Sequence, residues 1–195
     1  QGLTANLSNL SVAVNAAASD GSVVDFSTAP LSIPTGADAI ELDFDGADGV
    51  LLEASGTGAF AIGDILSIGG DFALRTQLET LTLDTGDSVD GRAFLVAADN
   101  LSAFLGYGSG EDAVGFQLDD LSFALAIFEG DTGGRWASLQ ADIGQAGLVG
   151  IDGFDMSVSQ FNVRVNTGFG SGTVLDLETD SLTVDLPNST LTLDT

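Results

Sequence analysis

The residues best suited to chemistry in this chain are carboxylates on glycine turns. The clearest group is Asp43-Phe44-Asp45-Gly46-Ala47-Asp48-Gly49, with Glu53 just beyond. A hard cation such as calcium takes oxygen ligands, and a tight acidic loop offers them, so Asp43, Asp45, Asp48 and Glu53 are the candidate calcium ligands. A weaker candidate is the turn that carries Asp84, Asp87 and Asp90. Asp119 and Asp120 stand mid-strand as a further weak pair, whereas Asp20, Asp25 and Asp176 read as turn or edge residues that discourage sheet-to-sheet aggregation.

The first loop departs from the EF-hand pattern. Its third Asp, Asp48, sits at the sixth position, where that pattern needs Gly, and Ala54 stands where the closing Glu belongs. Other chemistry is narrowed by what is missing. The chain has no His and no Cys. It therefore has no imidazole base, no thiol nucleophile, no disulfide and no His- or Cys-ligated metal. Paired carboxylates of the glycosidase kind remain. Sugar sites add aromatic platforms, and here there are one Trp, one Tyr and no cluster. No catalytic residue is predicted, and the chain reads as a non-enzyme.

Asp and Glu total 29 against 4 basic residues, for a formal charge of −25. Such a charge repels phosphate backbones and anionic membrane surfaces, so neither nucleic acid nor membrane insertion is expected. Hydrophobic residues make up 44% of the chain, which is too rich for a disordered acidic tail.

The elements that must hold these carboxylates are strands. Leu3, Ala5 and Leu7 alternate, the pattern slips by one residue, and Leu10, Val12 and Val14 alternate again. Alternation places one face of a strand on a core, and a one-residue slip predicts a β-bulge. The same alternation recurs at Leu31 and Ile33, at Leu81 and Leu83, at Leu182, Val184 and Leu186, and at Leu191 and Leu193. Residues 91–104 (GRAFLVAADNLSAF) look partly helical and are read as strand–turn–strand. Phe116, Phe123, Phe154 and Phe161 are expected in the core, as is Trp136.

Repeats decide the expected architecture. Residues 3–33 align without a gap to 154–184 at an offset of about 151, including Asn15 with Asn166 and Asp25 with Asp176. A shorter echo, at about 38 residues, relates 115–127 to 153–165. The chain thus reads as a single β domain, residues 1–195, holding about one and a third copies of the repeat, the second beginning near residue 152. That is the pattern of a window cut from a tandem array. Units that bury their apolar face only by stacking make quasi-one-dimensional proteins. The expected fold is all-β, an elongated β-solenoid-like stack of irregular strand–turn–strand repeats, with an antiparallel β-sandwich as the alternative.

The segments LSFALAI (121–127), RWASLQA (135–141), GLVGIDG (147–153) and FNVRVN (161–166) carry a resemblance. They look like repeats of giant bacterial RTX-type adhesins and surface proteins, although the glycine–aspartate nonapeptide of RTX rolls is absent. The resemblance implies export to the cell surface or beyond, tandem repetition and a structural or adhesive role. Expected partners are neighbouring repeats or further copies of the chain, with cell-surface glycans as another class. A self-assembling filament or surface-layer subunit and a carbohydrate-binding or carbohydrate-active domain are the alternative functions.

Overall fold

The computed structural model describes residues 2–36, 39–108, 110–170 and 172–194. The described residues are all-β. In order, the strands are β1 (Leu3–Asn15), β2 (Leu31–Pro34), β3 (Ala39–Leu42), β4 (Leu51–Ile62), β5 (Leu66–Thr82), β6 (Ser88–Tyr107), β7 (Val114–Gly130), β8 (Arg135–Val149), β9 (Ser157–Gly168), β10 (Leu182–Asp185) and β11 (Thr190–Leu193).

Seven strands form one sheet in the order β1-β4-β5-β6-β7-β8-β9, and every neighbouring pair is antiparallel. The β2–β3 and β10–β11 hairpins stand outside it. Among the described residues no solenoid coil forms. The physical reason is the connections. Gly63, Asp64 and Ile65 alone join β4 to β5, and a loop that short can only reverse the chain. A sandwich is approached only where β10–β11 lies against β5–β8.

The bulge read from the slip in the first strand is present, between Ser8 and Ser11. Asn9 there takes a left-handed backbone, φ 52°, and so do Asn100 (51°), Asp120 (53°) and Gln160 (57°). Pairing registers shift at Gly69/Asp71 in β5 and between Ala98 and Ala103 in β6. Gly70, Asn100, Asp120, Gly144 and Gln160 therefore lie side by side across β5 to β9. Glycine is required at two of these places. A Cβ on Gly144 would stand 2.7 Å from the Asp120 Cβ, and one on Gly70 would stand 2.9 Å from the Asp99 carbonyl oxygen. Each bulge resets the alternation, so both halves of a long strand present apolar side chains to the same face.

Residues 91–104 are not strand–turn–strand. They run inside the single strand β6, which is interrupted only by the bulge at Asn100. The alanines have a different purpose. Ala93, Ala97, Ala124 and Ala126 are buried, and their small side chains leave room for the second hairpin. From above come Leu175, Leu177, Leu182, Val184 and Leu193, all buried. Trp136 joins this core as expected, its ring centroid 5.8 Å from that of Phe128 and its indole N–H donating to Thr173 Oγ1 at 3.3 Å.

The other expected core aromatics are elsewhere. Phe116, Phe154 and Phe161 are exposed, and Phe123 is only half-buried. Phe116, Phe123 and Phe161 do share one face of the sheet, but among the described residues no layer covers that face, and Phe154 precedes β9.

Shifting the first unit by about 151 residues superposes its elements on the second. Hairpin β2–β3 falls on β10–β11 residue for residue, with Leu31↔Leu42 matched by Leu182↔Leu193 and Ile33↔Ile40 by Val184↔Leu191. The left-handed Asn9 falls on the left-handed Gln160. Asn15 Nδ2 donates to the Val24 carbonyl at 2.7 Å, and Asn166 Nδ2 donates to the Leu175 carbonyl at the same distance. The shorter echo aligns less well, since it sets the bulge residue Asp120 against Val158, two residues before the bulge at Gln160.

Candidate functional site

The acidic loop resolves into local contacts. Asp45 caps the short 3-10 turn Gly46–Asp48, its Oδ1 accepting from the Ala47 amide at 2.8 Å. Arg75 lies between two of the other carboxylates, with Nη2 3.4 Å from Asp48 and Nε 3.7 Å from Glu53. Asp43 is exposed. A guanidinium thus already supplies to Asp48 and Glu53 the positive charge a calcium ion would bring. Among the described residues, no three acidic side chains gather into a group able to hold a metal ion.

The second acidic turn is likewise divided. Asp84 accepts from the Val174 amide at 3.2 Å, Asp87 from the Thr85 hydroxyl at 2.9 Å, and Asp90 from the Thr80 hydroxyl at 2.6 Å. Asp84 belongs to the seam with the second unit, where Leu83 also bridges to Leu175. Asp119 accepts from Gln117 Nε2 at 2.8 and 3.0 Å, while Asp120 serves as a bulge residue. Asp20 and Asp25 are turn residues. Hydrogen bonds from Ser22 and Ser27 hold their carboxyls below the ordinary value.

Two further carboxylates bind the turn of the second hairpin to the sheet. Asp71 is buried and accepts from Asn188 Nδ2 at 2.9 Å and from the Thr57 hydroxyl at 2.6 Å. Those bonds, Asn188 first, hold its carboxyl below the ordinary range. Asp99 accepts a short hydrogen bond from the Ser189 hydroxyl. Glu79 is the opposite case, since burial pushes its carboxyl up.

What the geometry offers is surface. Across β1 and β4 to β9, the face opposite the second hairpin carries Leu7, Leu10 and Val12, then Phe60, Phe94, Leu105, Ile127, Phe161 and Val165, all exposed. The other face divides in two. Hairpin β10–β11 covers one half, and the half beyond the bulges carries Ser67, Ser102 and Gln117 beside Phe104. Among the described residues, β1 and β9 at the margins of the sheet each pair on one side only.

The hairpin of the first unit carries further exposed apolar residues. Leu31 is 47% exposed where Leu182 is 2% exposed, and Ile33 is 42% exposed where Val184 is 1% exposed. Sequence reasoning found the repeat that relates these residues but missed the contrast. The signal was present in the matched apolar residues Val24, Phe26, Leu31 and Ile33 against Leu175, Leu177, Leu182 and Val184. No protein-family model, no curated protein and no solved structure matches the chain.

Proposed function

We propose that this chain is a non-catalytic structural repeat module of an extracellular surface protein, a spacer whose sheet is meant to continue from one repeat into the next. The observation that carries this reading is the recurrence of one strand-plus-hairpin unit at opposite margins of the sheet, as β1 with β2–β3 and as β9 with β10–β11. A strand that opens one copy and closes the preceding one is what a tandem design requires. The elongated stack expected from the repeats would then grow across the strands. The resemblance to giant RTX-type adhesins supports an exported, adhesive setting, and the uncovered apolar face is the surface such a role would use. Calcium enters as a counter-ion that screens the acidic shell, not as the centre of a ligand cage.

The open margins and the apolar face favour one second reading, a subunit that assembles into filaments or a surface layer. Light scattering with negative-stain imaging, in calcium and in chelator, separates the two. A monomer in both conditions supports the spacer. Filaments or sheets carry the assembly reading instead. Hydrolysis of a panel of polysaccharides by the purified chain would sink both.

A further inference from the structure

We infer that hairpin β2–β3, together with strand β1, is a docking element whose partner is a second copy of this same repeat. It would lie on that copy as β9 and β10–β11 lie on the sheet here. The inference rests on the spacer reading above and names what such a module binds.

The argument starts from one local structure in two environments. The second unit shows the docked state in full. Strand β9 pairs with β8, from Trp136↔Gly168 to Gly147↔Ser157. The following segment then crosses back over the sheet, where the Asp176 amide donates to the Thr82 carbonyl at 2.8 Å and the Thr82 amide donates to Asp180 at 2.7 Å. The hairpin finally buries Leu182, Val184 and Leu193 over the alanines of β6 and β7. The first unit has the same strand, the same asparagine clasp and the same hairpin register, yet Val24, Leu31, Ile33 and Ile40 are exposed. Their counterparts Leu175, Leu182 and Val184 are buried, and Leu191 is packed against the same core. The side of β1 away from β4 is unpaired, where β9 in the same position has β8. The apolar side chains that the second unit buries against β5–β8 are exposed in the first at Val24, Leu31, Ile33 and Ile40, and the sheet of another copy is the surface that would cover them.

The match is apolar before it is polar. Where Asn188 and Ser189 reach Asp71 and Asp99, the first unit has Ala37 and Asp38, which lie outside the described residues. Neither an alanine nor an ionised aspartate can donate to those carboxylates as the Asn188 amide and the Ser189 hydroxyl do, so docking on an identical neighbour would lack these two hydrogen bonds. Six strands separate β1 from β9 inclusive of one margin, so each docked copy would lengthen the particle by about 29 Å at the spacing of paired strands.

The test is a tandem chain in which residues 1–151 precede the whole chain. Because the protein has no cysteine, a single introduced thiol reports burial without background. Ile33→Cys is placed in the single chain and, separately, in the second copy of the tandem, and Val184→Cys in the last copy is the buried reference. The thiol at the inner Ile33 position should react with a maleimide at least about tenfold more slowly than in the single chain, approaching the Val184 rate. Adding Ala37→Asn and Asp38→Ser to the second copy should slow it further. An inner Ile33→Cys thiol that reacts as fast as in the single chain overturns the docking. So does loss of protection at Val184, because a preceding copy would then disturb the fold instead of joining it. In a monomeric, catalytically silent chain a reactive inner thiol sinks the docking alone and leaves the spacer. Polysaccharide hydrolysis sinks the spacer and leaves the thiol result standing.

Discussion

Hairpins β2–β3 and β10–β11 have the same length, the same register and closely similar apolar residues, but one is bare and the other is buried. The difference shows which forces act where. Hairpin pairing and the bond from the asparagine amide to a carbonyl nine residues on are local, and both recur in the two units. Burial is a property of the neighbour, and the second unit has one because β5–β8 precede it. The stability of the molecule should therefore be distributed unequally between two segments that look alike.

The sharpest way to break this comparison is to truncate matched leucines. Leu182→Ala should cost about 2–5 kcal/mol in a denaturant titration, the usual loss for a buried leucine. Leu31→Ala should stay within about 0.5 kcal/mol. Equal losses would mean that the first hairpin is docked in solution. The next largest effect belongs to the clasps. Asn166→Ala removes a hydrogen bond that anchors a buried crossing and should cost about 0.5–1.5 kcal/mol globally. Asn15→Ala removes the equivalent bond, and the change should show only as faster amide exchange at Val24.

Acid should act on the bond that holds the second hairpin to the sheet. The Asp71 carboxyl is held below its ordinary value of 3.8 by Asn188 and Thr57. A carboxyl lowered in the folded state adds stability that is present above its unfolded value and lost as pH falls through the folded one. The denaturation midpoint should thus drop as pH falls through and below the ordinary carboxyl range, and Asn188→Ala should flatten that limb. An unchanged limb in the variant would remove Asp71 from the account. The smallest effect is expected at Arg75. Its ion pairs with Asp48 and Glu53 are partly exposed, so Arg75→Gln should cost about 0–1 kcal/mol and less in high salt.

Much of the fold was legible in the residues. The slip between Leu7 and Leu10 gave the bulge at Asn9, because a period of two leaves no other way to keep both halves of the strand on one face. The gapless match of Asn15 to Asn166 marked a shared clasp before any contact was known. Strand direction was not legible, since period two is the same in coils and in meanders, and only the short loops decide it. The alanines of β6 misled because small residues suit both a helix and a space beneath a hairpin. Phe116 and Phe161 misled in another way, as alternation marks an apolar face without saying whether anything lies on it. For the acidic loop, the sequence located Asp48 and Glu53 near each other but gave no sign that Arg75, some twenty residues on, stands between them.

The meander also fixes how the molecule would bear load. Its strands follow the chain order from β4 to β9, so tension applied across the sheet opens one ladder at a time, as a zipper opens, instead of shearing many bonds together. Hairpin β10–β11 interrupts that path, because it returns from the β9 margin to lie over β5 to β8 and ties the last strands to earlier ones. An array built this way would lengthen in steps under a modest pull and resist at every clasp, behaving as a ratcheted tether and not as a stiff rod.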